Sequence, residues 1–524
     1  MTNEQSKSIG FDNPAGECGR CSLSMNAEAA RRRLKARCSG AMDSVRRPPC
    51  EKRCRAKACH RSPRRFALAG ALEVFERWEV LFSALNQGGV RCIRALLSGG
   101  FLALLRAMSS ARAFHRFFVS LSLLALASCQ LPAPQRGYQQ PMAQQGAFML
   151  GIDVLASRNF DLLRGKRVGL ITNQTSMTGR GERTRTAMQR ALGPNLVALY
   201  APEHGIDGTI GAGLHVSTRR DNVTGLIVYS LYGPTRKPTP AMLAPIDVLV
   251  FDLQDIGCRS YTYISTMIVA MEAAAECGKQ FVVLDRPNPL GGWRVEGPPL
   301  EAKWKSFVGQ IPVPYVHGMT AGELAMMAGA RGWVARTPRL DVVKMQGWSR
   351  GMVWQDTGLR WYQTSPNIPH ASSPFYYVAT GILGGAAAVD IGIGTENPLG
   401  YAGGSGVNPQ ALYAYCQRLN APGVSFSPYS KDGFGGVRLN ISPRATADIT
   451  ALDVLLLAEI NRQTGGKVVG RMSGSKLNLF NKVYGSESLY ADLRRGVPGM
   501  SIVSRWQGYN QSFRSQRQSF LLYP

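Results

Sequence analysis

Between residues 166 and 284 the chain repeats one pattern: a short apolar run, then a polar cluster. The runs lie at 166–173, Leu196 to Tyr200, 225–230, Ile246 to Phe251 and Gln280 to Leu284. Between them, Arg183 to Leu192 and Tyr263 to Cys277 have helical character, the second stopped by Gly278. Short strands that are apolar on both faces need cover on both faces. Alternation with helices therefore predicts an α/β fold with a parallel, Rossmann-like sheet. Such a sheet puts the carboxyl ends of its strands on one edge, where open α/β folds bind ligands.

The residues at those ends are polar. Asn173-Gln174 follows the first run and Ala201-Pro202-Glu203-His204-Gly205 the second. Asp252-Leu253-Gln254-Asp255, with Arg259, follows the fourth, and Asp285-Arg286-Pro287-Asn288-Pro289 the fifth. Four such clusters on one rim, rich in carboxylates and amides with an Arg, suit sugar binding and glycosidic cleavage. That chemistry needs a protonated acid for the leaving oxygen and usually a carboxylate for water or the anomeric carbon. Glu203 is the expected acid, with Asp252 or Asp255 as its partner. Asp285 and Asn288 also fit plain loop geometry, since Asp and Asn favour caps and turns.

Other chemistries find less support. His204, His215, Asp252 and His317 contain no closely spaced ligand pair, so no metal is expected. Gly404-Ser405-Gly406 is not a nucleophile elbow. Gly208, Gly211 and Gly213 lack dinucleotide-site spacing, so no cofactor is expected.

The rest of the chain divides by composition. Residues 1–107 carry +11 of the net charge of +27 and seven of the eleven Cys. Cys18-x2-Cys21 and Cys50-x3-Cys54-x4-Cys59-His60 match no standard zinc spacing. The segment reads as disordered or as lying upstream of the true start at Met108. From Met108 a basic stretch leads to an uncharged run, Phe117 to Ala127, and then Ser128-Cys129. This is an export signal, too short to span a bilayer. Gln130 to Gln145, rich in Pro and Gln, reads as a tether up to residue 147. The folded part is expected as a first domain over 148–312 and a smaller α/β or α+β domain over 313–524. Thr320-x2-Glu323 is a capping box, 364–410 reads as loops, Ile449 to Arg462 and 494–515 as helices, and 520–523 as a strand or packed tail. Three Cys downstream of Cys129 imply no disulfide framework, and no stretch interleaves aromatics with Arg as nucleic-acid binding requires.

Five segments in order carry a resemblance: 201–205, Asp-Leu-Gln-Asp-Ile-Gly-Cys-Arg-Ser-Tyr-Thr-Tyr at 252–263, Asp-Arg-Pro-Asn-Pro-Leu-Gly-Gly at 285–292, Val-Glu-Gly-Pro at 295–298 and His-Gly-Met-Thr-Ala-Gly-Glu-Leu-Ala at 317–325. Together they resemble the bacterial exo-β-N-acetylmuramidase family of peptidoglycan hydrolases, over about 148–524. The resemblance implies a Rossmann-like domain, a smaller α/β domain and an active-site cleft between them. It implies release of N-acetylmuramic acid from non-reducing ends of peptidoglycan fragments, with Glu203 as main catalytic residue. His204, Asp252, Gln254, Asp255, Arg259, Tyr261 and Asn288 would line the site, and His317 and Thr320 would lie near the domain junction; Asn173, at the end of the first run, is expected as a further sugar contact. Where the family has Gly-Arg-Gly-Thr, this chain has Gly392-Ile393-Gly394-Thr395, and Glu396 follows as a substitute contact. Leu126-Ala127-Ser128-Cys129 resembles a lipobox, which implies lipidation of Cys129 and a periplasmic enzyme on the outer membrane. A non-catalytic muropeptide-binding lipoprotein on the same fold is the alternative.

Overall fold

The computed structural model describes residues 148–524. The readings made for residues 1–107, the export signal, Cys129 and the tether lie outside the described residues.

Seven strands form the first sheet: β1 (Val168–Ile171), β2 (Leu196–Ala201), β3 (Arg219–Arg220), β4 (Ile227–Ser230), β5 (Val248–Phe251), β6 (Gln280–Leu284) and β7 (Leu340–Val343). Their order is β3-β4-β2-β1-β5-β6-β7. All pairings are parallel except that of the short edge strand β3. Without β3 the order is third, second, first, fourth, fifth, sixth, the doubly wound arrangement. From β1 the strand order runs first to one side of the sheet, through β2 and β4, and then to the other, through β5 to β7, which makes the β1–β5 boundary the switch point.

Strand periodicity sorts the apolar side chains onto two faces. Ile171, Tyr200, Phe251, Phe281 and Val283 enter one core. Leu170, Leu199, Val248, Val250 and Val282 enter the other. Helices α1 (Gly151–Ser157) and α2 (Thr184–Leu192) cover the second face, through Ile152, Leu155 and Met188. The short α3 (Pro240–Leu243), then α4 (Thr262–Glu276) and α5 (Ala321–Ala330), cover the first, through Leu243, Met267, Met271 and Leu324.

The first core continues without a break into the smaller part. There β8 (Val389–Asp390), β9 (Tyr401–Ser405), β10 (Val424–Lys431) and β11 (Phe434–Ile441) form an antiparallel sheet in the order β10-β11-β9-β8. It packs with α6 (Ser373–Thr380), α7 (Pro409–Arg418) and the long α8 (Ile449–Gln463). Leu452, Leu456 and Ile460 of α8 share one core with α4. Five shorter helices complete the chain: α9 (Lys467–Gly470), α10 (Gly474–Tyr484), α11 (Ser488–Arg494), α12 (Gly499–Val503) and α13 (Gln507–Gln516).

Two sequence expectations change and a third is narrowed to one of its alternatives. The first sheet does not end at residue 312: α5 and β7 lie beyond it, and β7 pairs with β6. Leu340-Asp341-Val342-Val343 is too short and too polar to stand out as a buried strand. The region 364–410 is not all loop, since it holds α6, β8 and β9. Strand β9 is Gly-rich because β11 approaches closely; a Cβ on Gly403 would lie 2.6 Å from the Gly435 carbonyl. At the C-terminus, 521–524 form no strand but a packed tail. The capping box at Thr320 and Glu323 is present, starting α5. Among the described residues, no helix is long and apolar enough to cross a membrane.

Candidate active site

Strand β2 delivers its last residue, Ala201, to a sharp turn. His204 (φ +70°) and Gly205 (φ +77°) both take left-handed backbone conformations. This is strained for His and natural for Gly. The strain is offset by a local clasp. His204 Nδ1 lies 2.7 Å from the Ile210 carbonyl, and the Ile210 N–H donates back to the His204 carbonyl at 3.2 Å. A carbonyl only accepts, so Nδ1 carries the proton. The clasp folds the Gly-rich loop 205–213 back over Glu203, where the Gly213 N–H donates to Oε1 at 2.8 Å. From the other side Thr262, the first residue of α4, donates its hydroxyl to Oε2 at 2.6 Å.

Glu203 is 7 % exposed. No Arg, Lys or His side chain among the described residues forms an ion pair with it. The Tyr232 hydroxyl is nearby, pushed up to about 12 by burial first and by the Glu203 charge second. Arg236 lies over the Tyr232 ring at 4.8 Å and over Phe307 at 4.7 Å. Behind Thr262, the Tyr263 hydroxyl accepts from Asn173 Nδ2 at 2.8 Å and donates to the Thr364 carbonyl at 2.7 Å. The Tyr261 ring packs edge-on against Tyr263 and Tyr377.

The other expected site residues are mostly committed to structure. Asp252 is fully buried and bound twice by Arg286, at 2.6 and 3.0 Å. A carboxylate so paired is neutralised and is not the partner of Glu203. Asn173 gives Nδ2 to Tyr263, and its Oδ1 accepts from Thr175 twice. The buried Arg259 guanidinium donates to the carbonyls of Pro298, Val313 and Tyr484. It therefore clamps the loop after β5 to the end of α10, and its one donor without a partner among the described residues, Nε, is buried. Asn288 spans Leu290 N–H and the Met319 carbonyl. Thr320 caps α5 and donates to Asp285 at 2.7 Å. Glu396 is exposed on the turn after β8, and its neighbour Ile393 is 52 % exposed.

Asp255 and His317 share a small hollow of about 10 Å³, the size of one water. Asp255 Oδ1 accepts from Gly257 N–H at 2.7 Å while Oδ2 has no partner, and burial pushes the carboxyl up to about 7. His317 Nδ1 accepts from Met319 N–H and Nε2 has no partner; burial pushes the imidazole down to about 3. A sugar ring does not fit there. Gln254 alone of the set lines a roomier hollow at the switch point.

Sequence reasoning missed Thr262, Tyr232 and Gly213. The signals were present: Thr262 is the penultimate residue of the 252–263 segment, Tyr232 lies two residues past the third run, and Gly213 lies in the loop weighed only as a nucleotide site. Among the described residues, no group of three His, Cys, Asp or Glu side chains is placed to hold a metal ion.

Both parts of the chain are similar to known proteins. Family models for the N-terminal and C-terminal domains of the exo-beta-N-acetylmuramidase NamZ match residues 168–372 and 375–523. The peptidoglycan beta-N-acetylmuramidase NamZ of Bacillus subtilis (strain 168) is 37% identical over 390 residues, 73% of this chain and 92% of that protein. The chain belongs to the NamZ exo-β-N-acetylmuramidase family. Two solved DUF1343 family proteins from Bacteroides fragilis NCTC 9343 share the fold. One is 40% identical with a TM-score of 0.68, the other 26% identical with a TM-score of 0.57. Each alignment covers 72% of this chain and 99% of the solved one. The junction between the two NamZ models falls at 372–375, just before and into α6, in keeping with the place of β7 in the first sheet.

Proposed function

We propose that this protein is an exo-acting glycoside hydrolase that releases N-acetylmuramic acid from non-reducing ends of peptidoglycan fragments during cell-wall turnover, with Glu203 as general acid. One observation carries the reading: in a chain of this family, Glu203 is the buried strand-end carboxyl held by Gly213 and Thr262 without a cation. Those two contacts fix its direction and leave it without a counter-cation, free to carry a proton. That proton passes to the glycosidic oxygen as the C–O bond breaks, a water supplies the hydroxyl at the anomeric carbon, and the water's remaining proton restores the Glu203 carboxyl. His204 supports this step by holding the loop that carries Gly213.

The sugar is proposed to enter along the rim between the first sheet and the smaller part. Glu396 and Ile393 stand where the family has its Gly-Arg-Gly-Thr segment. Cys129 is proposed as the lipidated N-terminus of the exported protein, held on the periplasmic face of the outer membrane by the tether 130–147. Labelled fatty acid incorporated into wild type but not into Cys129→Ser tests the anchor. A chromogenic β-N-acetylmuramide tests the chemistry: turnover is expected from wild type and is lost in Glu203→Gln. Sugar binding without wild-type turnover would instead identify a non-catalytic muropeptide-binding protein.

A further inference from the structure

At the switch point of the first sheet, the loops after β1, β5 and β6 surround a hollow of about 40 Å³. That is room for a few waters or one small polar group. Leu150, Met177, Trp354 and Leu359 give it apolar walls. Thr175, Thr178, Arg360 and Tyr362 line it too, but the two groups deepest in the fold are one acceptor, on Gln254, and one donor, on Arg286, both buried residues. Gln254, 3 % exposed, gives both protons of its amide nitrogen away, to the carbonyls of Asp255 at 2.9 Å and Pro287 at 2.8 Å. Two carbonyl partners fix which end is nitrogen. Its Oε1 is buried with no partner, which is costly unless something donates to it.

The donor is Arg286. Its Nε and one Nη2 bond engage Asp252, and Nη2 also reaches the Met177 carbonyl at 2.8 Å. Nη1 makes no hydrogen bond among the described residues. Asp252 already balances the charge of this guanidinium, so the free N–H favours a neutral carbonyl over an anion. The exposed Arg360 lines the hollow too but stacks on the Tyr362 ring.

A lone acceptor, a charge-balanced donor and apolar walls match a secondary amide with a small alkyl end. We propose that this hollow binds the acetamido group of an N-acetylated amino sugar. The amide N–H donates to Gln254 Oε1, the carbonyl accepts from Arg286 Nη1, and the methyl rests on Leu150, Met177 and Trp354. The choice of an amino sugar rests on the muramidase reading; the amide recognition rests on the hollow itself. A hydrogen-bonded wall joins the hollow to the Glu203 side. Thr175 donates to Asn173, Asn173 to Tyr263, and Tyr263 to Thr364, whose carbonyl also accepts from Gln174. This gives Asp252 a purpose that is not catalytic: it keeps Arg286 selective for an amide.

The test uses the full chain with three probes: N-acetylmuramic acid, N-acetylglucosamine and muramic acid with its free amine. Saturation-transfer NMR is expected to place the acetyl methyl of both N-acetylated sugars in closest contact. Muramic acid is expected to bind roughly tenfold or more weakly, the worth of one lost hydrogen bond. Leu359→Trp, which fills the hollow without removing a polar group, should abolish the methyl contact; the wild-type probe series stands even if that variant does not fold. Equal binding of muramic acid, no saturation of the methyl, or binding that follows the lactyl carboxylate rather than the acetamide overturns the proposal. Failure of the muramidase reading looks different: no turnover of the chromogenic substrate while the methyl contact persists.

Discussion

Glu203 and Asp252 leave the two strands that flank β1, on the same edge of the same sheet, and they are held in opposite ways. Asp252 meets the Arg286 guanidinium and spends both oxygens on it. Glu203, also buried, meets a backbone N–H and a hydroxyl but no cation. Both are strand-end acids in sequence. Only the second keeps chemistry to offer, because a paired carboxylate is a structural charge. Position on the rim thus says where an acid is, and its partner says what it is for.

Substitutions that treat the two alike should show the difference. The largest effect is expected from Glu203→Gln, with kcat on a chromogenic β-N-acetylmuramide falling by about 10²–10⁴, the usual worth of a general acid. Its melting temperature should stay near that of wild type, since the Thr262 and Gly213 contacts can persist. Asp252→Asn should reverse this pattern. It leaves the Arg286 charge buried without its partner, and urea unfolding should show a loss of roughly 3–5 kcal/mol. A Glu203→Gln enzyme with normal kcat, or an Asp252→Asn protein of normal stability, would erase the distinction.

A third way of holding a carboxyl sharpens the comparison. Asp453 in α8 is fully buried, accepts from Ile382 and Leu383 N–H at 2.8 and 2.9 Å, and has no cation partner among the described residues. Burial pushes it up to about 8. The folded state therefore holds this proton more tightly than the unfolded one. Its contribution to stability is complete below the unfolded carboxyl range, about pH 4, and is lost as pH rises through 8. Unfolding free energies should fall over that window by at most about 1.4 kcal/mol per pH unit for this one group. Asp453→Asn should flatten the slope. The smallest change is expected from Thr262→Val, which removes one hydrogen bond to Glu203 and should cost about tenfold in kcat. An unchanged kcat there would mean that Thr262 does not orient the acid.

What the sequence made legible follows the same line. The parallel sheet could be read because each strand announces itself by a local apolar run. The four rim clusters could be read because each follows its run directly. Side-chain partners could not, since Arg286 lies 34 residues from Asp252 and Tyr484 lies 225 from Arg259. Only the fold brings them together, so Asp252, Arg259 and Asn288 looked like site residues and are fastenings. Strand β7 escaped for a related reason. Its burial comes from pairing with β6 rather than from its own composition.

The packed C-terminal tail has a consequence in time. Tyr523 donates to Asp285 at 2.5 Å across 238 residues of chain, and Leu522 N–H reaches Glu323. Burial raises the Asp285 carboxyl to about 6 even with Tyr523 in place. A ribosome adding about 5–20 residues per second needs roughly 10–50 s between making the acid and making the phenol that satisfies it. For that interval the carboxyl end of β6 is a nascent-chain surface rather than a finished one. The sheet is then sealed by a residue made 238 positions after the acid it meets.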